Sequence, residues 1–560
     1  MPGNIAQFFA RHLTRPTHAV FRHHVQGAWR DVTVAEVEAL ARQWQAAFRR
    51  DGLVAGDRVA ICARNGVNWV AVDLAALGLG LVVVPLYVDD NAENVAWCVG
   101  TADARLLIVE NSRLAAALAK CAGAALPLPP VVVLRPDDGE TAATLATFLP
   151  DATVELTVAE LADDTLATIC FTSGTAGRPK GVMLSHANII ANVGQCAQTG
   201  MARPEDVFLS ILPLSHMFER SGGYYLPLSL GAKVAFSRGV AQIADDLATQ
   251  APTIIFAVPR IFDRFRARID TSLANSPAKR RLFDACVARG FRVATGRGSA
   301  LDRLLVPGLR KLIGTPVLAR LGGRLRLAVV GGAALDPMLA RTFIGLGLGM
   351  LQGYGMTEAS PVIAVNLDDD NVPESVGPPL PGVEVRLSDG GELLVRGRNV
   401  MLGYWKNPAA TDATLTADGW LHTGDIAQID ADGYVKIVDR KKELIINAAG
   451  KNMSPANIES TIRAYCPLVG SAVAIGDDRP FVVLLAVTQE TDEKVLIKRA
   501  NDKLRDFPRW TRVRRVVMQK EPWSVDNGLL TPTLKLKRPI LMKRLAPQIE
   551  AAYADSSSAA

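Results

Sequence analysis

Residues 171–186 read FTSGTAGRPKGVMLSH. Between Thr172 and Gly181 the stretch holds three glycines, three hydroxyl residues and one lysine, flanked by the apolar runs LATIC (166–170) and VML (182–184). A loop of this composition between two strand-like runs can turn its backbone N–H groups toward an anion. Thr172, Ser173 and Thr175 add hydroxyl donors, and Lys180 adds charge. It is not a Walker A loop, which needs Gly, four residues, then Gly-Lys-Ser/Thr. After Gly174 the corresponding residues are Pro179, Lys180 and Gly181. On its own the stretch reads equally well as a phosphate cradle or as a plain turn.

Upstream, helical and strand patterns alternate. VAEVEALARQWQAAFRR (34–50) leads to RVAICA (58–63), WVAVDLAALGLG to LVVVPLY, and a further helix to RLLIVE (105–110). Such alternation predicts parallel strands with crossover helices, an α/β fold. A second α/β block follows with VFLSILPL (207–214), KVAFS (233–237), TIIFAVPR (253–260) and LRLAVVGGAAL (325–335). Between Arg260 and Gly322 lies a long helical insert rich in Arg and Lys. It reads first as a solvated helical face and, as the sharper alternative, as a membrane-surface patch. From residue 376 short alternating strands with Pro and Gly turns predict a small β unit. DRKK (439–442) reads as a hinge before a final small α+β domain. The expected division is therefore 1–438, a hinge at 439–442, and 443–560.

With 560 residues, 49% apolar and 21% charged, the chain fits a globular protein of several subdomains. Its net charge of +6 is spread too thinly to argue for nucleic acid. Seven cysteines, scattered and never in a CxxC pair, predict reduced thiols in a cytoplasmic protein rather than a disulfide framework or zinc site. The N-terminal MPGNIAQFFARHL has no apolar core of a signal peptide, and LAALGLGLVVVPLYV after Asp73 is too short to span a bilayer.

The loop at 171–186 is joined, in order, by GGAAL (331–335), GYGMTE (353–358), GYW (403–405), DGWLHTGD (418–425), GYVKIVDRKKELI (433–445) and GKNMSPANIE (450–459). This ordered set, running from about residue 20 to 545, resembles the adenylate-forming superfamily of acyl-CoA synthetases, adenylation domains and luciferases. LPLSHMFER (212–220), VPRIFDR (258–264) and GLLTPTLKLKR (528–538) bring the resemblance closest to the long-chain fatty acid–CoA ligases. The resemblance implies a large AMP-binding domain and a small mobile C-terminal domain. It implies ATP, Mg²⁺ and CoA as cofactors and a fatty acid as substrate, with a carrier-protein thiol or an aromatic or medium-chain acid as alternatives. Peripheral contact with a membrane is compatible with it.

Carried over residue by residue, the resemblance places Thr172, Ser173, Gly174, Thr175, Gly177 and Lys180 over the β- and γ-phosphates, with Ala176 where the family usually has a second Thr. Gly331, Gly332, Ala333 and Tyr354 would line adenine, Thr357 would reach the α-phosphate, and Glu358 would bind Mg²⁺. Asp425 would hold the ribose hydroxyls, with Arg440 beside it, and Lys442 would mark the hinge. His216 would stand at the pocket wall, as an active-site residue. Tyr224 and Tyr225 read equally as a gate or as core aromatics. Gly450, with Ala449, Lys451 and Asn452, would turn toward CoA. The catalytic lysine is expected at Lys535, with Lys537 as the alternative register.

Overall fold

The computed structural model describes residues 3–121, 127–135, 145–151, 154–172, 178–441, 443–448, 451–466, 468–524, 527–530 and 536–554. The first helix that the sequence predicts forms where its periodicity places it, at Val34–Arg50, after a single turn at Gln7–Ala10. The Thr33 hydroxyl accepts from the Glu36 N–H, and the Glu36 carboxylate accepts from the Thr33 N–H. This reciprocal cap contributes about 1 kcal/mol. The helix buries Val37, Ala41, Trp44 and Phe48 and packs on the helix Val67–Gly78.

Two large sheets draw on the chain as far as Tyr404. The seven-stranded sheet runs in the order Gly403–Tyr404, Lys180–Ser185, Leu166–Thr172, Val82–Pro85, Arg58–Cys62, Ala104–Asn111, Val131–Arg135. Its central pairings are parallel, and the pair Leu166–Thr172 and Lys180–Ser185 closes one side as a hairpin. The eight-stranded sheet runs Val362–Val365, Gly349–Gly355, Leu327–Val330, Ile254–Ala257, Val207–Ser210, Lys233–Phe236, Ala19–Val25, Ala28–Thr33. Its middle is parallel, and both ends are antiparallel. The apolar run VFLSILPL is strand only as far as Ser210. The strand next to it, Ile254–Ala257, likewise stops short of a proline, Pro259, a residue that cannot donate to a ladder.

The chain groups into two compact units. The first is Met1–Gly332 with Arg341–Val385 and Val395–Leu421; the second is Ala333–Ala340 with Arg386–Leu394 and His422–Ala560. In the second unit a three-stranded sheet, Ser471–Ile475, Val482–Val487 and Val513–Gln519, is buried on both faces. Val482, Leu484 and Ala486 pack with Ile458 and Ile462, while Val483, Leu485 and Val487 pack with Leu541, Leu545 and Ile549. A strand covered on both sides reads as a continuous apolar run, as VVLLAV does.

The insert is helical throughout: Pro259–Leu273, Pro277–Ala294 and Ala300–Leu309, the last continuing through a π turn at Arg310–Gly314 into Thr315–Ala319. Tyr224 and Tyr225 resolve as core aromatics: both are fully buried, their rings 4.6 Å apart. All seven cysteines are free. Six are buried, and Cys121 alone is exposed.

Candidate active site

Thr172 ends a strand that runs parallel to Val82–Pro85, so it stands at the carboxyl edge of a parallel sheet, where open α/β sheets usually bind ligands. The chain returns antiparallel, pairing Thr172 with Lys180, and the Thr172 hydroxyl donates to the Lys180 carbonyl at 3.4 Å. Lys180 Nζ lies 4.1 Å from the centre of the Tyr404 ring, within cation–π range. Tyr404 reaches that point because Gly403–Tyr404 adds to the hairpin edge, Tyr404 opposite Val182. Its hydroxyl donates to Glu358 Oε1 at 2.8 Å. Burial, and then the neighbouring Glu358 carboxylate, push the Tyr404 phenol well above its ordinary value, so it keeps its proton.

Glu358 sits on a short 3₁₀ turn, Thr357–Ala359, after the strand Gly349–Gly355. It is 8% exposed. The turn needs Gly355: a Cβ there would come within 1.9 Å of the Pro361 carbonyl. Three distant segments pin the turn. The Met401 N–H donates to the Glu358 carbonyl at 2.9 Å, and Asn399 Nδ2 donates to the Ala359 carbonyl at 3.0 Å. Asn192 clasps Val362, donating to its carbonyl at 2.7 Å and accepting from its N–H at 3.0 Å. Ser221 donates to the Ser360 carbonyl at 2.9 Å. Tyr354 lies half-buried on the same strand, opposite Ala364.

Gly331 and Gly332 follow the carboxyl end of Leu327–Val330, one strand over. A Cβ on Gly331 would stand 3.1 Å from the Phe218 ring and 3.3 Å from the Gly353 carbonyl, so small residues here let three segments converge. Gly332 has φ +75, a conformation that glycine adopts freely. His216, half-buried, joins the same region through Phe218, whose N–H donates to His216 Nδ1 at 3.2 Å.

Beneath His216 the motif turns inward. Arg220 and Asp73 are fully buried partners joined by a short ion pair. Arg220 also donates to the Thr168 hydroxyl at 2.9 Å, on the strand that ends at Thr172, and Tyr225 donates to Asp73 at 2.8 Å. Burial works against the Arg220 charge, but Asp73 outweighs it and raises the guanidinium further. Glu219, one residue earlier, lacks such a cation, and burial pushes its carboxyl up to about 8.

In the second unit, Asp425 and Arg440 are register partners across the strands Leu421–Ile429 and Val435–Arg440, with Arg440 Nε 3.5 Å from Asp425 Oδ1. The turn before Asp425 is held by Glu392, a residue the sequence reading did not single out. Its carboxylate accepts from the Gly424 N–H at 2.9 Å and from Lys441 Nζ at 3.1 Å, and stands 3.4 Å from His422 Nδ1. Burial opposes the Glu392 charge, but Lys441, Gly424 and His422 together hold it below the usual carboxylate range. Ala333 opens the segment grouped with this unit. Lys537 begins the helix Arg538–Arg544, its N–H donating to the Leu529 carbonyl at 2.9 Å. Ser173, Gly174, Thr175, Gly177, Lys442, Gly450 and Lys535 lie outside the described residues.

The structure thus brings Thr172, Lys180 and Glu358 together through Tyr404, and gathers Gly331, Tyr354 and His216 beside them. Tyr404, Asn192 and Asn399 were missed by sequence reasoning. GYW marked the first; the two asparagines carry no local signal.

The AMP-binding enzyme family matches residues 9–405, and the AMP-binding enzyme C-terminal domain matches residues 442–557. The long-chain-fatty-acid–CoA ligase FadD15 of Mycobacterium tuberculosis is 31% identical, covering 98% of this chain and 96% of its own length. Long-chain-fatty-acid–CoA ligase 5 of Rattus norvegicus is 31% identical over 88% of this chain and 80% of its own. Among solved structures, ATP-bound MatB from Rhodopseudomonas palustris superposes with a TM-score of 0.76 at 25% identity, covering 97% of this chain and 99% of that one. With family matches across both its large and its C-terminal part, the chain belongs to the AMP-binding enzymes.

Proposed function

We propose that this chain activates a long-chain fatty acid with ATP, first to the acyl-adenylate and then to acyl-CoA. The observation that carries the reading is the 31% identity, over 98% of the chain, to a ligase named for that reaction. In the first half-reaction a carboxylate oxygen attacks the α-phosphorus of ATP, and the bond to pyrophosphate breaks. In the second, the CoA sulfur attacks the acyl carbonyl and AMP leaves, the thiol proton passing to solvent or base. Neither half needs a protein nucleophile. The work is charge neutralisation, alignment and exclusion of water.

The residues described fit those tasks. Lys180 and Thr172 face the β- and γ-phosphates, and Ser173, Gly174, Thr175 and Gly177, outside the described residues, would serve the same task. Thr357 reaches the α-phosphate, Gly331, Gly332, Ala333 and Tyr354 border adenine, and His216 stands on the acyl side. Asp425 accepts from the ribose hydroxyls, an apt task for an ionised, acceptor-only carboxylate. Glu358 is the residue that would hold Mg²⁺. Its Oε1 is occupied by Tyr404, and among the described residues Oε2 accepts no hydrogen bond. No three acidic, His or Cys side chains cluster for a metal among those residues. The donor set therefore suits an ion that takes most of its ligands from phosphate and water, the usual habit of Mg²⁺. Bound there, the ion would neutralise phosphate charge. Lys535 would meet the carboxylate and α-phosphate, and Lys442 and Gly450 would serve the second half-reaction. The large domain is taken to end at residue 438, with the hinge at 439–442.

Pyrophosphate release is the test, with acids from acetate to stearate plus benzoate and coumarate, with and without CoA. CoA-stimulated turnover that peaks at long chains is the expected result. Acyl-AMP accumulation without CoA dependence would move the acceptor to a carrier-protein thiol, and a maximum at benzoate would move the substrate to aromatic acids. Lys535→Ala is expected to abolish adenylation and spare thioester formation from supplied acyl-AMP. Near-normal pyrophosphate release from that variant would shift the role to Lys537.

A further inference from the structure

The helix Ala300–Leu309 is turned inside out. Its acidic residue, Asp302, is 3% exposed and held inward by Arg289 at 2.8 Å and by Arg292 at 2.8 and 2.9 Å. Val306 is buried beside it. The outward positions are leucines: Leu301 is 55% exposed, Leu304 75%, Leu305 40%, and Leu312 on the continuing π turn 62%. At about 100° per residue, these four fall within an arc of about 100°, with Val306 on the far side. Single exposed leucines are ordinary; four on one helical face are not. Among the described residues no helix is long and apolar enough to cross a membrane.

Charge surrounds this face. Lys311 is exposed on its flank, and Arg303 is exposed on the opposite side of the helix. The net charge is not spread along the chain, as expected above, but concentrated: residues 259–326 contain 16 Lys and Arg against 4 Asp, a net charge of +12, whereas the whole chain carries +6. The remaining 492 residues are therefore net negative, by 6 charges. Lys279, Arg281, Arg297, Arg320 and Arg324 of the basic segment are exposed as well.

We propose that this leucine face docks on a lipid bilayer surface bearing anionic headgroups. The leucines would enter the boundary between headgroups and acyl chains, while Lys311 and the surrounding cations pair with phosphate and carboxylate. A second copy of this chain fits poorly. A two-fold contact through the same face would oppose two segments of charge +12. A nucleic acid would use the arginines and leave the leucines in water. The inference rests on this surface alone, not on the ligase reading.

Flotation of the full chain with vesicles tests it. Phosphatidylcholine vesicles containing about 30% phosphatidylglycerol should carry the protein upward at ~0.1 M salt, and pure phosphatidylcholine should carry much less. The double variant Leu304→Asp/Leu312→Asp should lose at least about tenfold in vesicle partition. Both sites are more than half exposed, so the thermal transition should not move. Lys311→Glu, a second variant that leaves the apolar face intact, should lose severalfold at low salt and little at high salt. The proposal is overturned if the wild-type chain stays with the soluble fraction, or if the leucine variant floats as well as wild type. It is equally overturned if the leucine substitutions abolish a dimer in sedimentation equilibrium without changing flotation, which would assign the face to a second copy.

Discussion

The hydroxyl of Tyr404 donates to Glu358 Oε1 at 2.8 Å while its ring sits 4.1 Å from Lys180 Nζ. One side chain thus links the lysine that closes the glycine-rich loop to the carboxylate of the GYGMTE turn. Tyr404→Phe keeps the ring and removes the hydroxyl. A hydrogen bond to a charged group is worth about 1.5–3 kcal/mol, so the apparent affinity for Mg·ATP should fall about tenfold or more. A Mg²⁺ titration of pyrophosphate release reads this directly. Unchanged Mg²⁺ dependence would leave Tyr404 a packing residue.

Glu392 fastens the turn that presents Asp425. Glu392→Gln keeps the shape but loses the charge that Lys441 and the Gly424 N–H share. The loss should be about 1.5–3 kcal/mol of local stability, with weaker nucleotide binding. The linkage has a definite sign. The folded-state carboxyl is depressed, so its contribution is present above the unfolded carboxyl range near pH 4 and is lost as pH falls through the folded value. Hydrogen exchange of the 421–441 segment across pH 3 to 6 should show wild type approaching the variant at the acid end.

Arg220→Ala would leave Asp73 buried without its cation and Thr168 without its donor. Breaking a fully buried pair in this way costs about 3–5 kcal/mol. Urea midpoints should fall accordingly, while replacing both partners with apolar residues should cost much less. A small shift for Arg220→Ala alone would mean that water reaches the site.

Glu219 carries the opposite sign. Its folded carboxyl is raised to about 8, so its stabilising contribution is complete below the unfolded value and declines as pH rises through 8. Glu219→Gln, which cannot ionise, should therefore gain on wild type in thermal midpoint between pH 6 and 9. Parallel pH profiles for the two proteins would contradict this assignment.

Much of this architecture is written locally. Helix 34–50 announces its cap through Thr33 and Glu36, and the strands at 58, 82 and 104 follow from apolar runs between helical periods. The site was legible where glycines and charges cluster in one segment, as at 172–181 and 353–358. It was not legible at Asn192, whose clasp on Val362 spans 170 residues, nor at Asn399. A side chain bonding to a distant backbone leaves no period or spacing in the sequence. Glu392 was hidden likewise, since it looks like any polar residue in a short strand until Gly424 and Lys441 fold onto it. Tyr224 and Tyr225 show another limit: the sequence left a gate and core aromatics equally open, and burial with Asp73 makes them core.

The cysteines have a practical consequence. Burial raises the thiols of Cys62, Cys98, Cys170, Cys196 and Cys286, Cys196 to about 12, and Cys466 is also enclosed. Since the thiolate is the reactive form, a maleimide dye at neutral pH should find Cys121 first, at the end of the helix Ser112–Cys121. The unmutated chain is therefore ready for single-site fluorescent labelling, and denaturation should release six further equivalents of thiol in one step that counts the folded fraction.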